Sequence, residues 1–236
     1  MKYLKSYKRE KISIEQPEVL RYLGYGKSKE DISPAIKEVV ENQIALAYSL
    51  IKPRAVYSFI DNLPLKDYYI FKGAIKIALG ICTIGSELED LADSHFRKGA
   101  YLEWLVLDAC GTVATEKLVE LVGDEIRKSV SEEGLKSSER LSPGCAHWQL
   151  DGQHLVFSHF SHETAGVTIN ESYMMRPRKS VSFAYKLYGD GIEEVRSDKC
   201  LHCELYRCNY RKEYRVAKSE IKRSSVPKNK AGHTKI

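Results

Sequence analysis

The chain has no apolar run near the ~20 residues that a membrane-spanning helix needs, so no membrane association is expected. Its first residues, Met1-Lys-Tyr-Leu-Lys-Ser6, lack an apolar signal region followed by a small-residue cleavage site, and the expected location is the cytoplasm. A glycine-rich phosphate loop, a nucleophile elbow and a metal-hydrolase motif are all missing, which removes the common signatures of nucleotide hydrolysis and acyl transfer. There is no internal repeat and no Pro/Gly/Ser linker. Six cysteines in a cytosolic chain do not make a disulfide framework. Cys82 and Cys110 lie in apolar segments and read as small buried hydrophobes.

What is present is enough for a core. The 236 residues are 43% hydrophobic, ordinary for a globular protein, and their number allows one large domain or two small ones. The net charge of +5 is unevenly distributed. Residues 211–236 hold nine Lys/Arg against two Asp/Glu, leaving 28 basic and 30 acidic of the chain's 37 and 32 for residues 1–210. The body is therefore slightly acidic, which argues against a nucleic-acid partner. The basic stretch, polar and with little periodicity, reads as a disordered tail. The expected organisation is a domain over 1–210 and a tail over 211–236.

Apolar spacing predicts the elements. Ser33-Pro34 opens a helix that carries Ile36, Val39, Val40, Ile44 and Ala47 and ends at Lys52-Pro53. A second helix starts at Ser86, with Glu89 completing a capping box, and runs to Phe96. A long third helix spans Leu102–Val130, with Gly111 marking close packing or a bend. Glu18–Gly24 and Leu155–Phe160 are short helices. Strands are expected at Ile12–Ile14, Ala55–Ile60, Ile75–Ile84, Val167–Glu171 and Val181–Leu187, with a turn at Gly189-Asp-Gly191. Strands and helices mix without βαβ alternation, so the fold class is α+β: one domain with an antiparallel sheet covered by helices.

The densest chemistry lies between Arg140 and Tyr185. Arg140-Leu-Ser-Pro-Gly144 joins a guanidinium that can hold a carboxylate through two hydrogen bonds to a turn that lets backbone approach a ligand. Further on come Thr168-Ile-Asn-Glu-Ser172, Met174-Met-Arg-Pro177 and Ser180-Val-Ser-Phe-Ala-Tyr185. The order and spacing resemble the activation domain of cobalamin-dependent methionine synthase, with its Arg-x-x-Pro-Gly-Tyr, Thr-Glu-Ser-x-x-Met-x-Pro and Ser-Val-Ser strand ending in an aromatic residue. The resemblance covers about 45 contiguous residues closely and the rest in outline. It implies an S-adenosylmethionine (SAM) site that includes Arg140 at the ligand carboxylate, with Ser142, Gly144 and Cys145 of the turn, Glu171, and Tyr185. The tyrosine ring either faces the sulfonium cation or sits in the core. Cys145 departs from the family's tyrosine and removes apolar contact area. Of Glu116 and Glu120, four apart on one helix face, Glu120 is the better offset match to the family's glutamate near the ligand amino group.

Cys200, Cys203 and Cys208 form C-x2-C-x4-C, spacing that suits zinc or an iron–sulfur cluster, with Cys145 or His202 as a fourth ligand. This is read from spacing, not from the resemblance. His147, His154, His159 and His162 have no carboxylate at a metal-site spacing and read as solvated or hydrogen-bonded. Asp93-Ser-His95-Phe-Arg-Lys-Gly99 approaches a cobalamin-binding motif, but its glycine falls one position late; no corrinoid of its own is expected.

The function implied by the resemblance is a stand-alone reactivation module for methionine synthase or a related corrinoid methyltransferase. Cobalamin would be carried by the partner, and an electron donor such as flavodoxin would supply the reducing equivalent. A cluster at the three cysteines could relay that electron. The alternative is a non-catalytic protein that senses SAM or scaffolds a corrinoid enzyme, with a structural metal site.

Overall fold

Alternating and helix-period stretches fold into one antiparallel sheet with helices on both faces. The computed structural model describes residues 2–25, 32–61, 65, 68–145 and 148–189. In chain order the elements are β1 (Lys2–Ser6), α1 (Gln16–Tyr22), α2 (Pro34–Leu50), β2 (Arg54–Asp61), β3 (Lys76–Thr83), α3 (Glu87–Arg97), α4 (Tyr101–Glu132), β4 (Lys136–Ser137), α5 (Gly152–His159), β5 (Thr168–Ile169), β6 (Met175–Arg176) and β7 (Ser180–Tyr188). The main sheet has the order β1-β2-β3-β7-β4, antiparallel throughout, and β5–β6 is a separate hairpin. This is the α+β domain expected from the sequence.

The two faces of the sheet are packed differently. Ala55, Tyr57, Ala78, Cys82, Phe183, Tyr185 and Leu187 join a core with the buried stripe of α4 and with residues of α1, α2 and α3. Val56, Ile77, Leu79, Ile81 and Ala184 face the other way, under Phe71, Trp148, Val156, Phe157 and Phe160. β3 is buried along nearly its whole length because both faces are covered, hence its unbroken apolar run. α4 spans 32 residues and carries Val106, Cys110, Leu118, Val122 and Ile126 on its buried side. Gly111 marks close packing: a Cβ there would stand 2.8 Å from Leu88 Cδ2.

Several expected elements change. Ile12–Ile14 is not a strand; Ile12 and Ile14 are buried as irregular backbone after a short 3-10 turn. The edge strand is Lys2–Ser6, whose alternating exposed and half-buried residues give little apolar signal. Val167–Glu171 contracts to Thr168–Ile169 because Asn170 turns the chain, accepting from the N–H groups of Ser172 and Met174. Ser33 caps α2 by accepting from the Ile36 N–H. Ser86 makes no such bond. Glu89, expected to complete that capping box, is 6% exposed and accepts instead from the Arg178 N–H at 2.6 Å. The turn at Gly189-Asp-Gly191 beyond Gly189, His147, Cys200, His202, Cys203, Cys208 and the 211–236 tail lie outside the described residues.

Candidate functional site

Residues 136–141 run along the outer edge of β7. Lys136 pairs Tyr188 and Ser137 pairs Leu187. The Ser138 N–H then donates to the Lys186 carbonyl at 2.8 Å, and Ser138 Oγ accepts from the Lys186 N–H at 2.9 Å, a side chain standing in for a ladder carbonyl. Leu141 closes the run with two 2.9 Å bonds to Ala184. Leu141 packs with the α5-side core, so the preceding Arg140 turns to the α4 face. There its Nη2 lies 3.1 Å from Glu116 Oε1 and 3.0 Å from Oε2.

The Ser142-Pro-Gly-Cys145 turn follows. The Cys145 N–H donates to the Ser142 carbonyl at 3.0 Å, and the Gly144 N–H donates to the Trp148 carbonyl at 2.8 Å. Gly144 has φ +82°, a conformation that residues with a Cβ rarely adopt. Ser142 Oγ and Trp148 Nε1 are buried without a hydrogen-bond partner among the described residues. Cys145 is exposed, and among the described residues no group of three or more His, Cys, Asp or Glu is placed to hold a metal ion.

Tyr185 is 2% exposed and lies under α4. Its hydroxyl occupies the space that a Cβ on Gly123 would fill, and Arg127 stands 5.9 Å from the ring centroid. Burial raises the tyrosine pKa, while Arg140 and Arg127 oppose that rise. Cys82 also has a raised pKa, chiefly from burial, with Arg140 lowering it and Glu116 raising it. Glu171 is exposed at the tip of the β5–β6 hairpin. The stretch joining that hairpin to β7, after the cis Arg176–Pro177 bond, is held to the helices by charge. Arg178 Nη2 meets Asp93 Oδ1 at 2.6 Å, and Lys179 Nζ meets Asp108 Oδ1 at 2.8 Å.

The structure places Arg140 near Tyr185 on the α4 face, with the Ser142–Gly144 turn following it, and it leaves Glu171 on a separate hairpin. The carboxylate that meets Arg140 belongs to Glu116, whereas Glu120 pairs with Lys117 at 3.4 Å. Helix phase made this choice, and four-residue spacing alone does not. Trp148 went unremarked in the sequence, since a lone tryptophan carries no pattern.

A guanidinium and a carboxylate 3 Å apart, both partly open to solvent, form a pair that can receive the opposite charges of an amino-acid zwitterion. No family model matches the chain, and no curated protein does. Among solved structures it is similar to the crystal structure of the MetH reactivation domain bound to AdoHcy, with a TM-score of 0.60 over 82% of this chain and 80% of that one, at 14% identity. A likeness of that kind is a likeness of architecture, and the chain has the fold of the MetH reactivation domain.

Proposed function

We propose that the chain binds S-adenosylmethionine at the Arg140 turn and serves the reactivation of a corrinoid methyltransferase. The observation that carries the reading is the Arg140–Glu116 pair beside the Pro143-Gly144 turn, on a fold whose solved counterpart holds AdoHcy. The residues present fit the amino-acid end of the ligand. Arg140 would take the carboxylate, Glu116 the ammonium group, and the unpartnered Ser142 hydroxyl a further acceptor. Tyr185 would serve as the floor, keeping Arg140 on the α4 face. Bound SAM supplies an electrophilic methyl group; the acceptor would be the cobalt of a cobalamin on a partner, reduced by one electron from a donor such as flavodoxin. The protein's own work is positioning.

Residues Cys200, Cys203 and Cys208 remain proposed ligands of zinc or an iron–sulfur cluster on their spacing. Metal analysis of the purified protein, beside a triple serine variant, tests them.

Calorimetric titration with SAM, run in parallel on Arg140→Ala, tests the main reading. A charge-assisted hydrogen bond contributes about 1.5–3 kcal/mol, so the substitution should weaken binding by roughly 10–150-fold. Absence of binding to the unaltered, folded protein would remove SAM from the isolated chain. Binding without any cob(II)alamin-dependent methyl transfer to a corrinoid partner would favour a sensor or scaffold instead.

A further inference from the structure

At the opposite edge of the sheet, where β1 ends and β2 begins, lies a cavity of about 840 Å³. Its wall includes four cations, Lys8, Arg9, Lys52 and Arg54, against two carboxylates, Glu10 and Glu87. Residues 1–210 are slightly acidic as a whole, so this is a local concentration of positive charge. Two of the cations are already engaged. Lys52 pairs with Glu87, and Arg9 Nη1 donates to the carbonyls of Tyr48 and Ser49 at 3.1 and 3.0 Å, closing the C-terminal end of α2. Among the described residues Lys8 has no side-chain partner, and Arg54 stands within electrostatic reach of Glu87, yet its Nε is buried with no hydrogen-bond acceptor.

The position of Arg54 is built. It sits in the first rung of the sheet, paired with Ser6 on one side and Thr83 on the other. Its guanidinium lies against Gly166, where a Cβ would come 3.0 Å from Nη2 and 3.4 Å from Nη1. Gly166 has φ +80°, so a left-handed glycine both turns the chain and leaves the space that the guanidinium uses. A buried guanidinium N–H without an acceptor is unfavourable, and guanidinium groups pair strongly with oxyanions.

We infer that this cavity is a second ligand site, distinct from the Arg140 turn, that binds a phosphate monoester of mononucleotide size through Arg54 and Lys8. Four cations against two carboxylates leave the wall two positive charges in excess, which matches a dianion. The cavity volume falls in the range of roughly 300–1,000 Å³ typical of small-molecule sites, well beyond what bare phosphate fills. Tyr7, also in the wall, offers an aromatic surface for the organic part.

The test is a titration of the full chain followed by proton–nitrogen NMR of backbone amides and the arginine Nε–H, with inorganic phosphate and adenosine 5′-monophosphate as probes at constant ionic strength. The expected result is a saturable shift of the Arg54 Nε–H and of the Gly166 amide, with the ester binding more tightly than phosphate. Arg54→Gln, its fold checked by circular dichroism, should weaken both by tenfold or more, and Lys8→Gln should do so by a smaller factor. Arg140→Ala should leave this binding unchanged while SAM binding is weakened, which separates the two sites. No saturable shift, or equal affinity in Arg54→Gln, overturns the site. Equal affinity for the two probes overturns the ester and leaves free phosphate. Should Arg54→Gln fail to fold, undiminished binding in Lys8→Gln overturns the assignment of the dianion.

Discussion

The two faces of the sheet reach burial by different means. On the α4 face, small residues on the central strands, Ala55, Ala78, Gly80 and Cys82, leave room for Phe183 and Tyr185 on β7 and for the apolar stripe of a long helix. The Phe183 ring covers its cross-strand partner Gly80 so closely that any Cβ there would collide with it. On the α5 face a single eight-residue helix and three aromatic rings, Phe71, Trp148 and Phe160, do the covering. That face also holds polar pairs: a buried one from Ser182 Oγ to Gln153 Oε1 at 2.8 Å, and a half-buried one between Ser58 Oγ and His159 Nε2 at 2.6 Å. Apolar area is forgiving of small shifts, whereas a buried hydrogen bond holds one register and is costly when one partner is lost. The first face therefore supplies the larger share of the apolar burial, and the second also defines where α5 sits.

Three measurements sharpen this contrast, from the largest expected effect down. Phe183→Ala removes a fully buried ring from the α4 face and should cost about 3–5 kcal/mol in denaturant unfolding. Gln153→Ala should cost about 1–3 kcal/mol, because Ser182 Oγ loses its acceptor in a dry environment. If the second loss exceeded the first, the division of labour between the faces would be reversed. The smallest effect is a pH dependence. Burial, then the nearby Lys2 ammonium, lowers the His159 pKa below its ordinary value. The unfolded chain therefore binds a proton more readily than the folded one, and stability falls as pH drops through about 6.5 toward the folded value. Thermal unfolding from pH 8 to pH 5 should show that slope, and His159→Gln should flatten it; an unchanged slope in the variant would assign the dependence elsewhere.

Much of the fold was legible because long apolar periods survive any tertiary arrangement. α2, α3, α4 and the strands β2, β3 and β7 were predicted within a few residues of where they lie. β1 was not, because an edge strand with one half-buried face reads as a mixed polar segment. The Ile12–Ile14 strand was expected from β-branched residues that are buried without forming a ladder. At the site, Arg140 and the Pro143-Gly144 turn could be read from residue type, since charge geometry and backbone freedom are local properties. Whether Glu116 or Glu120 meets the guanidinium could not be read, because it depends on how α4 is rotated against the sheet.

The sequence by itself determined the long helices, the central strands and the α+β class. Only the tertiary structure decided that Arg140 has a carboxylate beside it while Arg54, at the opposite edge, has a buried guanidinium nitrogen with no acceptor among the described residues. The physical reason is range. Helix and strand periods arise from neighbours a few residues apart, whereas the partner of a charge is set by contacts 24 residues apart along the chain, as for Arg140 and Glu116, or by none.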